Sequence, residues 1–114
     1  MKYHYERAQI SVKLKNKTYD IAFYAYYAKS FHSRFWGLMR VKDIKDGQAF
    51  ILEKCRSIHT CFMRMKIDVL FVDENYQIVR AALNVSPWKF LIAKKPAAHA
   101  IELKAGTIRK YLFE

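Results

Sequence analysis

The side chains of this 114-residue chain best equipped for chemistry lie between positions 55 and 68: Cys55, His59, Thr60, Cys61, Arg64 and Asp68. Two thiols and an imidazole are donor types for zinc, whose ligands must converge at about 2.0–2.3 Å from one ion. Along a continuous strand, which rises about 3.3 Å per residue, Cys55 and Cys61 stand ~20 Å apart. That separation excludes a shared metal, and it excludes a disulfide, whose Cα atoms approach within about 7 Å. Two small, partly buried thiols are expected, with no metal and no cofactor. His59 and Asp68 are the types of a general acid–base pair, and proton transfer requires about 2.6–3.2 Å or one bridging water. If residues 64–67 bend a hairpin, Met63 faces Asp68 and His59 faces Val72, which leaves imidazole and carboxylate about 13 Å apart. A hydrolase or isomerase using His59, Thr60 and Asp68 therefore needs a different turn. In the plain hairpin, Asp68 accepts backbone amides near the bend.

No other constellation points to catalysis. The chain lacks a Gly-x-Ser-x-Gly elbow, a phosphate-cradling glycine loop and a dinucleotide fingerprint, and 3 Gly in all leave little room for one. Charge is more informative. With 21 Lys and Arg against 10 Asp and Glu, the formal net charge is +11, which favours an anionic partner: nucleic acid, a polyanionic polymer or an acidic lipid surface. Aromatic rings are interleaved with these cations. Phe35 and Trp36 lie between Arg34 and Arg40, and Trp88 lies between Pro87 and Lys89, so rings and cations together could stack on bases or sugars. The expected function is a non-catalytic binding module whose surface draws on Arg34, Arg40, His59, Thr60, Arg64, Asp68 and Trp88. A structural component of a larger assembly is the other reading; Tyr24, Tyr26 and Tyr27 on an edge strand would then meet a protein partner.

These residues need elements to position them, and the pattern is one of short strands. Ile10, Val12 and Leu14 alternate with Ser11, Lys13 and Lys15, Asn16-Lys17 has turn composition, and Tyr19, Ile21 and Phe23 alternate again; residues 9–24 thus predict a hairpin. From Ser30, a cap residue, Phe31, Phe35, Leu38 and Met39 recur at three and four, which predicts a helix. Asp46-Gly47 breaks the chain before a strand over 48–52. Strands over 57–63 and 68–73 flank the bend at 64–67. A turn at Asp73-Glu74-Asn75-Tyr76 then leads to a return strand over 77–85, closed by Ser86-Pro87. Ile101 and Leu103 mark a last short strand, and Gly106 opens a terminal turn.

Composition agrees with a packed domain. Hydrophobic residues make up 53%, with 8 Phe, 8 Tyr and 2 Trp, and a chain of this size removes roughly two thirds of its unfolded surface from water. One domain over 1–114 is expected. No stretch approaches the roughly 20 apolar residues that cross a bilayer, and Ser11, Lys13 and Lys15 interrupt any apolar run that a signal peptide would need. A cytoplasmic location is the expectation.

Four motifs in order carry a resemblance: Arg34 with Gly37-Leu38-Met39; Ser57 to Arg64 running on to Ile67 through Asp73; Pro87-Trp88; and Glu102 through Ile108. Over about residues 28–109 the chain resembles the bacterial and archaeal family called Domain of Unknown Function 192 (DUF 192). The resemblance implies a mainly β domain, a small twisted antiparallel sheet or partly closed barrel of about six or seven short strands with one or two short helices. It implies no reaction. Lys66 and Lys104 stand where the family pattern favours proline, and Tyr76 where a turn glycine is usual.

Overall fold

The alternation between residues 6 and 28 builds a long hairpin, β1 (Glu6–Leu14) and β2 (Lys17–Ala28), in a computed structural model that describes residues 4–28, 44–61 and 63–113. Lys15 and Asn16, at φ 51° and 67°, form the two-residue turn. Two successive left-handed residues give the turn a twist that matches the strands, so the turn sits one residue earlier than composition suggested. The helix expected from Ser30, with Phe31, Arg34, Phe35, Trp36, Leu38, Met39 and Arg40, lies outside the described residues.

Asp46-Gly47 turns the chain into β3 (Gln48–Leu52), which joins β2 in parallel from Tyr24 opposite Gln48 to Ala28 opposite Leu52. The other strands are β4 (Ser57–His59), β5 (Ile67–Val72), β6 (Ile78–Val85), β7 (Phe90–Ile92) and β8 (His99–Lys104). The main sheet has the order β1-β2-β3-β8-β5-β6, and β4 pairs with β7 in a separate two-stranded ribbon. The run Ile67-Asp68-Val69-Leu70-Phe71-Val72 is buried at every position. Such a strand lacks alternation because both its faces are covered.

The six-stranded sheet curls into a half-barrel. Ile10 and Val12, on the edge strand β1, share an inner core with Leu70, Val72, Ile101 and Leu103, a contact that a flat sheet would forbid. At one end the far edges meet, where the Lys13 amide donates to the Tyr76 carbonyl at 2.8 Å. The other face carries a second core of Phe50, Leu52, Ile67, Val69 and Phe71, to which the ribbon adds Ile58 and Leu91. After β8, Gly106 at φ 97° redirects the chain into α1 (Thr107–Leu112), whose Ile108 and Leu112 join the inner core. Thus the segment after Gly106 is a short helix rather than a turn, and the fold is mostly β as expected.

Two strand expectations need correction. The strand at 57 ends at His59 instead of 63, and it does not form a hairpin with 68–73: β4 pairs with β7, while β5 pairs with β6 and β8. The physical reason lies at Thr60, whose backbone is captured by residues 88 and 89 as described below. The turn at 73–76 is as expected, with Asp73 Oδ1 accepting the amides of Asn75 at 2.8 Å and Gln77 at 2.9 Å. Tyr76 has φ 60°, the left-handed backbone that explains why glycine is usual there.

Candidate functional site

Asp68 is fully buried on the inner face of β5, and its carboxylate is saturated by main-chain donors. Oδ1 accepts the Asn84 amide at 2.9 Å, and Oδ2 accepts those of Gly106 at 3.0 Å and Ile108 at 2.9 Å. A strand, the irregular end of its neighbour and the start of α1 are thereby tied to one side chain. The donors come from distant segments, not from the 64–67 bend.

Thr60 is also fully buried. Its hydroxyl donates to the Ser86 carbonyl at 2.7 Å and accepts the Lys89 amide at 2.9 Å. Its own amide donates to the Lys89 carbonyl at 2.9 Å, and its carbonyl accepts the amides of Met63 and Trp88, each at 3.2 Å. Residues 86–89 therefore wrap this one threonine, and Trp88 is fixed there at φ 66° with 64% of its surface exposed. Thr60 positions the surface rather than forming it.

His59 precedes that knot. Its Nδ1 accepts the Cys61 amide at 3.2 Å, and its partner across the ribbon is Phe90. Ile58 is buried on the inner side of the ribbon, so His59 and Phe90 share the opposite face with Ser57 and Ile92. Phe90 is 64% exposed and Ile92 58%. Neither residue was legible as surface: Phe90-Leu91-Ile92 is an unbroken apolar triplet in which three residues are too few to show alternation.

The segments that build the ribbon are rich in cations. The segment that carries β4, residues 54–66, holds Lys54, Arg56, Arg64 and Lys66 but no Asp or Glu, and residues 77–101 hold Arg80, Lys89, Lys94 and Lys95 and again no carboxylate. Several are tied to the ribbon directly. Arg80 donates to the Ile92 carbonyl at 2.6 Å, and the Ala93 amide donates to the Arg56 carbonyl at 2.8 Å. Arg64 is exposed in the bend. Arg34 and Arg40 lie outside the described residues.

His59, Thr60 and Asp68 are not brought together. Asp68 faces the inner core from β5, whereas His59 faces away from the outer core on the ribbon, and the main sheet stands between. Cys55 and Cys61 are free thiols; the break in β4 removes the continuous strand on which their spacing was reckoned. Among the described residues, no three His, Cys, Asp or Glu side chains gather as a metal-binding group, and no helix is long and apolar enough to cross a membrane. Tyr24, Tyr26 and Tyr27 are not on an edge strand as expected, because β2 pairs with β1 on one side and β3 on the other, and these tyrosines divide between faces. Tyr26 stacks on Phe50 at 5.1 Å in the outer core, while Tyr27 lies on the opposite side of β2.

A second polar group, unforeseen in the sequence, occupies the end of the half-barrel remote from α1. His99, buried on β8, accepts the Lys54 amide at Nδ1 (3.0 Å), places Nε2 3.8 Å from Glu74 and lies beside the Tyr76 ring at 5.6 Å. A shallow pocket of about 230 Å³ nearby is lined by Lys54, Arg56, Glu74, Ala97 and Ala98. Burial, with Tyr27 and Glu53 adding, pushes the Tyr76 phenol up to about 12.

Comparison with known proteins adds a family and a fold. The DUF192 model, described as an uncharacterized ACR, matches residues 12–114. A UPF0127 protein of Thermococcus sibiricus is 35% identical over 85 residues, 71% of this chain and 54% of its own length. The chain thus spans about half of that relative. A UPF0127 protein of Pyrococcus furiosus is 36% identical over 86 residues, 72% of each chain. Among solved structures, a Sinorhizobium meliloti 1021 protein named as a candidate transcription regulator superposes with a TM-score of 0.75 at 20% identity, covering 96% of this chain and 88% of its own.

Proposed function

The chain belongs to the DUF192 family, which is described only as uncharacterized, and from that premise we propose that it is a non-catalytic binding module for an anionic polymer. The observation that carries the reading is the charge of the ribbon: both segments that build it, 54–66 and 77–101, are free of Asp and Glu although the chain has 10 of these residues. Cations without interspersed carboxylates along these segments favour a polyanion, with Glu74, which lines the shallow pocket beside Lys54 and Arg56, as the acidic neighbour. The fold supports the same reading, because Thr60 and Arg80 hold the ribbon rigid against the half-barrel. Asp68 and Thr60 act in it as scaffold. Catalysis by His59, Thr60 and Asp68 draws no support from an imidazole on the outer face of the ribbon and a carboxylate buried at the inner core.

The test is titration with a single-stranded DNA oligomer and, separately, with inorganic polyphosphate over a range of salt. Contact with about five phosphates of the strand predicts a log–log slope near −3.5. Reversing charge at Arg56→Glu and Lys89→Glu should weaken both polymers and, through the loss of two phosphate contacts, lower the slope for the strand by about 1.4. Failure of either polymer to bind at low salt would remove the reading.

A further inference from the structure

We propose that the ribbon's occupant is an unpaired nucleic-acid strand whose bases stack on Phe90 and Trp88, with His59 beside them. The inference rests on the anionic-polymer reading and adds the part of the ligand that charge alone cannot recognise. Trp88 and Phe90 are each 64% exposed and stand two residues apart. Only Lys89 separates them along the chain, so the two rings are close enough for neighbouring bases of one strand. His59 lies directly across the ribbon from Phe90, where the Cβ atoms of paired residues come within about 5 Å. His59 therefore shares the ribbon face of Phe90.

Two independent observations separate this face from ordinary exposed hydrophobics. The first is backbone strain. Trp88 holds φ 66°, a left-handed conformation that costs a non-glycine residue free energy and that persists only where surrounding bonds over-determine it. Here those bonds are known: the Trp88 amide donates to the Thr60 carbonyl, and Ser86 and Lys89 are held by the hydroxyl of the same threonine. The structure thus strains its backbone to present an indole to solvent. The second is charge complementarity. Lys89 stands between the two rings in sequence, the Arg80 guanidinium donates to the Ile92 carbonyl, and Arg56 directly precedes β4, so cations for phosphate occur on the segments that carry the rings. Stacking on aromatic rings beside a cationic track is how proteins hold single strands without reading their sequence.

The test compares a single-stranded thymidine oligomer with an abasic oligomer of equal length and charge, using fluorescence anisotropy. Intact strand should bind at least about 10-fold more tightly, since each stacked base contributes roughly 5- to 160-fold. Phe90→Leu and Trp88→Ala should each remove a similar factor for intact strand and little for the abasic one, with inorganic polyphosphate as a base-free control. Phe90→Leu keeps apolar bulk but deletes the flat ring, and circular dichroism confirms that each variant is folded. Equal affinity for intact and abasic strands would overturn the stacking proposal while leaving the anionic-polymer reading in place. Tighter binding to vesicles of phosphatidylserine and phosphatidylcholine than to either oligomer would overturn it in favour of a lipid surface.

Discussion

Asp68 illustrates how a residue's type can mislead about its work. A carboxylate nine positions from a histidine suggests proton transfer, yet both oxygens are occupied by the amides of Asn84, Gly106 and Ile108. Main-chain donors that converge on a buried carboxylate make strong bonds, and leaving any of them unsatisfied in the interior is costly. Asp68→Asn replaces one acceptor oxygen with an NH2 group that must confront an N–H donor. Urea unfolding should register a loss of about 3 kcal/mol for this substitution. A variant as stable as the parent would show that the carboxylate does not hold these segments together. The residue's structural character was partly readable, since an aspartate beside a bend accepts amides. That its donors lie 16 to 40 positions away was not readable, because no local pattern records which distant backbone will arrive.

At the scale of elements, the ribbon decides whether a candidate surface exists. Its strands have three residues each and no mutual sequence signal, so their pairing depends on Thr60 binding the 86–89 turn. Thr60→Val preserves shape but strips the Ser86 carbonyl and the Lys89 amide of a buried partner. Stability should fall by about 2 kcal/mol, and amide exchange at Trp88 and Lys89 should accelerate more than exchange in β5. Uniform exchange across both regions would indicate that the hydroxyl does not clamp the ribbon. By contrast the hairpin of β1 and β2 was legible from alternation alone, because its two strands are neighbours and each keeps one wet face. The same rule failed at residues 57–63, where a hydrogen-bonded side chain ended the strand early.

For the molecule as a whole, curvature places two ends in different chemical settings. Asp68 and α1 secure one, while Tyr76, His99 and Tyr27 gather at the other, where the Lys13 amide reaches Tyr76. Burial first, and then the neighbouring Tyr27 and Glu53, raise the Tyr76 phenol from 10.0 to about 12; burial likewise raises Tyr27. A folded-state value above the unfolded one means that the folded protein binds the proton more tightly. The associated stability is complete below about pH 10 and is lost as pH rises through about 12. Thermal unfolding followed across that window should show the melting temperature falling with pH, and Tyr76→Phe should flatten the decline. A decline of the same steepness in Tyr76→Phe would assign it to other groups.

The amino-acid sequence by itself determined the mostly β class, the first hairpin, the turn at 73–76, the basic character and, through four ordered motifs, the family. These are properties of short windows or of composition, where hydrophobic period, turn chemistry and charge act between near neighbours. Tertiary structure alone decided that β5 lies between β6 and β8, that Asp68 is buried at the inner core while His59 lies on the outer face of the ribbon, and that Phe90 and Ile92 stand in solvent. Each of these depends on which remote backbone satisfies a buried donor or acceptor and on how the sheet curls. Neither is encoded within any segment short enough to be read on its own.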